Sequence, residues 1–259
     1  MDNQFKLSEK TIVVHGPVSP TVQSLANHLT ELGADVALAT DDEKRAQVYC
    51  ANLSDLREVH RHRGRAAGLY SPRSTLKGCN EVFAKASEAF GSVDVFIDAN
   101  FSSLFIDEKK PESAEAIIKQ QIKLFEETLL MTATAEQYLS SRTRGRIIFL
   151  TAEAAQRGLT KNAANCMARN SLKDYAKNIS LDYSDKQLTA NVVVCGVTED
   201  YLQHRFKGKP VSEAKKEFAT IAPDVRLTEP MEIANVVGFL ASALSSAVTG
   251  QTIYATHGL

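Results

Sequence analysis

The stretch Thr11-Ile-Val-Val14, then His15-Gly-Pro-Val-Ser-Pro-Thr-Val22, then Gln23 through Gly33, decides the fold. Its first four residues are a β-branched run. Val22, Leu25, Ala26, Leu29 and Leu32 then recur at helical spacing, so the segment predicts strand, turn and amphipathic helix. Ser19-Pro20 supplies an N-cap and a first-turn residue, and Gly33 supplies a stop. A turn of this kind that cradles the pyrophosphate of a dinucleotide uses one glycine for the tight turn, a second for close backbone approach and a third for helix-on-strand packing. Here Gly16 is the one glycine of the turn. The helix start still presents free amides, which can hold a small anion.

Outward from this segment, strand-like and helix-like patterns alternate to the end of the chain. Val36–Thr40, Ala66–Tyr70, Val93–Asp98, Arg146–Thr151, Ala190–Cys195 and Thr252–Ala255 read as strands. Leu76–Phe90, a stretch from about Pro111 to Ser141, Asn162–Tyr183 and Glu229–Ser242 read as helices. The stretch between the second and third strands is less regular. Continuous apolar strands between amphipathic helices predict a parallel sheet covered on both faces, the doubly wound α/β class of about seven strands. At 259 residues the chain is expected to be one such domain. Val197–Val225, charged and containing Gly208, Pro210 and Pro223, is the longest irregular insertion, placed like a lid beyond the sixth strand.

Composition excludes some functions. With net charge -1 and 44% hydrophobic residues, nothing favours nucleic acid or an anionic membrane. Cys50, Cys79, Cys166 and Cys195 lie far apart without a C-x-x-C pair, as suits reduced thiols. No signal-like N-terminus or membrane-length apolar run is present, and the expectation is a cytoplasmic protein.

Glu229-Pro-Met-Glu-Ile-Ala234, Gly238-Phe-Leu-Ala-Ser242 and Val248-Thr-Gly-Gln-Thr-Ile253 resemble the last helix and strand of the short-chain dehydrogenase/reductase family. Gly145–Thr151 and Val93–Ile97 resemble its fifth and fourth strands. The resemblance spans essentially the whole chain and implies a Rossmann-like three-layer sandwich. It also implies a homo-oligomer, dimer or tetramer, built on the helices over Pro111–Ser141 and Asn162–Tyr183.

The family's functional positions, carried over one at a time, fall on other residues. In the cofactor loop His15 stands for the threonine, Gly16 is kept, and Pro20 and Val22 replace the second and third glycines. The strand-four signature becomes Asp98-Ala-Asn-Phe101, which puts Phe101 beside Asn100 where a glycine lets cofactor lie against the backbone. The catalytic tyrosine and lysine fall on Asn165 and Arg169, and the serine falls on Ala152, with Thr151 as a neighbouring substitute. An asparagine amide cannot replace a phenol as proton donor. After the sixth strand only Gly196 is kept. The implied protein is a degenerate member, a pseudoenzyme without classical hydride transfer, acting by ligand binding or protein association. No cofactor is expected. If one binds, Asp41, followed by Asp42, at the end of the second strand favours NAD over NADP.

Two alternatives stay open: a divergent NAD-linked oxidoreductase, and cofactor-independent lyase or dehalogenase-like chemistry at Arg169. Halohydrin dehalogenases, which resemble the same family, carry arginine at that position but keep the serine and tyrosine. Arg169 could also hold an anionic ligand bidentately, or form a salt bridge closing the cleft. Arg57, His60, Arg61, His62, Arg63 and Arg65 could form a polyanion patch, with a solvated helix face as the plainer account. His60 and His62, two apart on a helix, should point apart, so no metal site is expected. Cys166 and Cys195 read as structural thiols.

Overall fold

A computed structural model of the protein describes residues 5–71, 75–100, 113–141, 144–158, 163–206, 208–221 and 226–258. In chain order the elements are β1 (Thr11–His15), α1 (Pro20–Glu31), β2 (Asp35–Thr40), α2 (Glu43–Val59), β3 (Ala66–Tyr70), α3 (Leu76–Phe90), β4 (Val95–Asp98) and α4 (Ala114–Ser140). Then come β5 (Arg146–Ala152), α5 (Glu153–Arg157), α6 (Ala163–Asp182), β6 (Thr189–Cys195), α7 (Glu199–Arg205), α8 (Val211–Ile221), α9 (Pro230–Ala241) and β7 (Thr252–Ala255). The strands form one parallel seven-stranded sheet in the order β3-β2-β1-β4-β5-β6-β7. Strand order reverses between β1 and β4, and in open α/β sheets ligands bind outside the carboxyl ends of the strands at such a switch point.

Strand alternation sends side chains to two cores. Ile12, Val14, Val95, Ile97, Ile148 and Leu150 meet α1, α2 and α9. Val13, Phe96, Ile147, Phe149 and Val192 meet α3, α4 and α6. Each large apolar side chain buried this way contributes roughly 1.5–3 kcal/mol. The caps follow the sequence: Ser19 accepts from the Val22 N–H at 3.3 Å to start α1, and Gly33 follows the helix with φ 97°.

Two segments differ from the sequence expectation. The stretch after β2, predicted as less regular, is the 17-residue helix α2. It buries only Ala46, Cys50 and Leu53, which is why its periodicity is faint. The stretch after β6, predicted as irregular, carries α7 and α8, which share a small core of Val197, Tyr201, Leu202 and Ala214 with Ala154 of α5. Pro111, Asn162 and Pro223 lie outside the described residues. Among the described residues no helix is long and apolar enough to cross a membrane.

Candidate functional site

β1 and β4 are neighbours in register, with His15 opposite Asp98. Both side chains point to the α4–α6 side of the sheet and are fully buried, and His15 Nδ1 lies 3.3 Å from Asp98 Oδ1. Thr128 of α4 donates to Asp98 Oδ2 at 3.0 Å, and the Asn100 N–H donates to Asp98 Oδ1 at 3.1 Å. Arg169 of α6 donates through Nη2 to the Asn100 carbonyl. Asn100 Nδ2 in turn donates to Glu127 Oε2 at 3.3 Å. Burial pushes the Asp98 carboxyl up, but the bond and charge of His15, the Arg169 charge and the Asn100 N–H outweigh it and hold it below the usual range. Burial lowers the pKa of the Arg169 guanidinium against the opposing charges of Asp98 and Glu127.

Asn165 and Arg169 therefore do share a face of α6, one turn apart, but at 5% and 3% exposure they point inward. Thr151, at the end of β5, is also sealed, and Ala152 beside it offers no hydroxyl. Three buried atoms here, Thr151 Oγ1, Asn165 Oδ1 and Arg169 Nε, have no hydrogen-bond partner among the described residues. This cluster is a held network rather than an open constellation. Asp98 entered the sequence reading only as the first residue of the strand-four signature, and Thr128 not at all. Their signal is the register of β1 on β4, which only the strand order reveals.

On the other face of the sheet the first turn of α1 meets α7. Thr21 donates to both Asp200 oxygens, at 3.1 and 3.0 Å, and Thr198 donates to the same carboxylate. A carboxylate at a helix start is favoured by the helix dipole, so the chain supplies its own anion there. Val22, at the third glycine's position, is fully buried in the core under α1 and does not stand in the crevice, whereas Pro20 is exposed at the helix start. Gly16 and Gly196 sit against neighbouring strands and loops, as close packing requires. Asp41 is exposed at the end of β2, with Thr40 Oγ1 at 3.3 Å, while Asp42 caps α2 through the Arg45 N–H at 3.1 Å. Phe101 lies outside the described residues.

The other candidates resolve into structure. Arg57, His60, Arg61, His62 and Arg65 are exposed, as the solvated-face reading expects, while Arg63 alone of the run is buried, on Glu31, Asn27 and Thr30, and Arg65 pairs with Asp35. α2 ends at Val59, and the His60 and His62 rings face each other at 6.0 Å instead of pointing apart. Among the described residues no three His, Cys, Asp or Glu side chains gather as a metal site. Burial pushes the Cys195 thiol far up, away from a reactive thiolate.

A family model described as enoyl-(acyl carrier protein) reductase matches residues 23–259. A 2,3-dihydroxy-2,3-dihydro-p-cumate dehydrogenase of Pseudomonas putida is 25% identical over 259 residues, covering 99% of this chain and 96% of that protein. An (S)-acetoin-forming diacetyl reductase of Staphylococcus epidermidis is 24% identical over 263 residues, covering 96% of this chain and 98% of that protein. A short-chain dehydrogenase/reductase of the glucose/ribitol dehydrogenase type from Brucella melitensis has a similar fold, with TM-score 0.78 at 23% identity over 99% of this chain and 98% of that one. So does a short-chain oxidoreductase from Pseudomonas aeruginosa PAO1 described as containing an atypical catalytic center, with TM-score 0.84 at 22% identity over 98% of both chains.

These matches overturn the expectation that the chain goes without a cofactor, because dehydrogenases and reductases depend on a hydride carrier such as a nicotinamide dinucleotide. That expectation counted Val22 as a lost glycine, and its side chain is absorbed by the core. The crevice fits a dinucleotide at Gly16 of the β1–α1 turn and at the exposed carboxylate of Asp41 after β2. It resists one at Thr21, where Asp200 already stands.

Proposed function

Because the chain belongs to the short-chain dehydrogenase/reductase family, we propose that it is a divergent oxidoreductase-like member that binds a nicotinamide dinucleotide, NAD in preference to NADP, without the family's tyrosine-driven hydride transfer. The observation that carries this reading is the pair Asn165 and Arg169. No phenol stands where the family resemblance puts one, and the arginine beneath it is buried and bonded to the Asn100 carbonyl. A proton relay typically contributes about 10²–10⁴-fold to rate, so turnover should be slow or nil and the protein should act through ligand binding. Asp41 would take a ribose hydroxyl and would repel an added 2′-phosphate. Gly16 and the start of α1 would seat the pyrophosphate once α7 carries Asp200 off Thr21. The same reading makes the chain one domain, α7 and α8 its lid, and the assembly a homo-oligomer through α4 and α6. Cofactor-independent chemistry at Arg169 is disfavoured by its burial.

Thermal unfolding with NAD, NADH, NADP and NADPH tests the proposal. A ligand at a hundred times its Kd adds about 2.7 kcal/mol to stability, and the larger shift is expected with NAD or NADH. No shift with any of the four would overturn the dinucleotide half. Hydride turnover near 10 s⁻¹, about the median for enzymes, would overturn the other half.

A further inference from the structure

At the end of the sheet opposite the switch point, the amino ends of β5 and β6 open into a cleft of about 480 Å³. Arg144, Arg146, Ser180, Ser184, Thr189 and Thr249 are among its walls. Arg146 and Thr189 are the first residues of their strands and face each other in register. Arg146 is 5% exposed, yet among the described residues no carboxylate pairs with it. Its Nη1 donates to the carbonyls of Arg144 and Gly145 at 3.1 Å and of Gln187 at 3.4 Å, and its Nε has no partner among the described residues. Arg144 is exposed, and its side chain donates through Nε to Gln187 Oε1 at 3.3 Å. Asp185, on the adjoining turn, is engaged with Lys186 at 3.7 Å. Two guanidinium groups thus share one recess with no counter-charge among the described residues, which is costly for the buried one unless an anion arrives.

The hydroxyls complete the pattern. Thr189 Oγ1 is buried without a partner among the described residues. Thr249 Oγ1 accepts from the Ala190 N–H at 3.2 Å, which leaves its own proton free to donate. Arginine forks with added hydroxyl donors match the tetrahedral oxygens of phosphate, and the volume exceeds what a lone phosphate fills. We propose that this cleft binds a phosphorylated small molecule, with Arg144 and Arg146 holding the phosphate, at a site separate from the dinucleotide crevice. Burial and the nearby Arg144 charge both lower the Arg146 pKa, a strain that a bound dianion relieves.

Calorimetric titration of the full chain with inorganic phosphate, ribose 5-phosphate and ribose tests this. Phosphate and ribose 5-phosphate should bind at one site, ribose 5-phosphate more tightly, and ribose should not bind. Equal affinity for the two would assign the site to free phosphate and overturn the larger ligand. Arg144→Gln, at an exposed position, should fold normally and weaken ribose 5-phosphate binding by about tenfold or more, which corresponds to 1.4 kcal/mol, while Arg144→Lys should keep part of it. Ser19→Ala, at the start of α1, should leave binding unchanged. The proposal is overturned if neither phosphate compound binds, if R144Q binds as the wild type does, or if S19A abolishes the binding.

Discussion

Gly16 is required by packing before any ligand is considered. A Cβ placed on it would lie 2.8 Å from the Ala99 carbonyl oxygen and 2.9 Å from its carbon, both backbone atoms with no freedom to withdraw. Gly16→Ala should therefore destabilise the protein by about 1–3 kcal/mol, read as a lower urea midpoint at unchanged slope. This explains how one glycine of the fingerprint survives while two are replaced: it serves β1 against the chain leaving β4. Asp98 is a second residue whose role is internal. Its carboxyl is held below the ordinary range, so its stabilising contribution is complete above the unfolded value of about 3.9 and is lost as pH falls through the lower folded value. Asp98→Ala, which leaves Arg169 and His15 buried without their carboxylate, should cost about 3–5 kcal/mol. Asp98→Asn should flatten the acid limb of a stability-against-pH curve, and an unchanged limb would contradict the assignment.

At the scale of elements, the proposed lid turns on the contact between α1 and α7. The Asp200 carboxylate accepts from Thr21 and Thr198, and α7 with α8 rests on a core of its own rather than on the sheet. Removing a hydrogen bond to a charged group typically loses about 1.5–3 kcal/mol. In Thr21→Val, amide exchange in α7 should therefore rise by about 10- to 100-fold, with β1 and β5 unchanged. Faster exchange across the whole sheet would instead mean that Thr21 supports the global fold. Elements with a strong apolar stripe and an evident stop, such as α3 ending at Gly91, or a continuous apolar run, such as β6, were legible from sequence alone. α2 was not, because three small or medium residues are all it buries. The polar cluster was half legible. The positions of Asn165 and Arg169 on one helical face follow from spacing of four, whereas His15 against Asp98 and Thr21 against Asp200 join residues 83 and 179 apart in sequence. No local pattern encodes such pairs.

For the whole molecule, the proposed homo-oligomer has a physical basis on α4. Ile118, Ile122 and Leu129 are 57%, 60% and 36% exposed on one side of that helix, and Met167 on α6 is 51% exposed. With a net charge of -1, little long-range repulsion opposes self-association. A stable interface buries about 1,200–2,000 Å² in total, more than these four side chains alone provide, so the interface must extend along both helices. Sedimentation at micromolar concentration should give a dimer or tetramer. The double variant Ile118→Glu, Ile122→Glu should shift it to monomer while leaving the circular dichroism of the sheet and helices intact, since neither side chain serves the core. A wild-type monomer, or a double variant that assembles unchanged, would move the interface off α4. Because α6 carries Asn165 and Arg169 on the face turned toward Asp98, loss of the partner should also loosen that cluster. The monomeric variant should then show faster amide exchange in α6 than the assembled protein, and equal exchange in the two would separate assembly from the site.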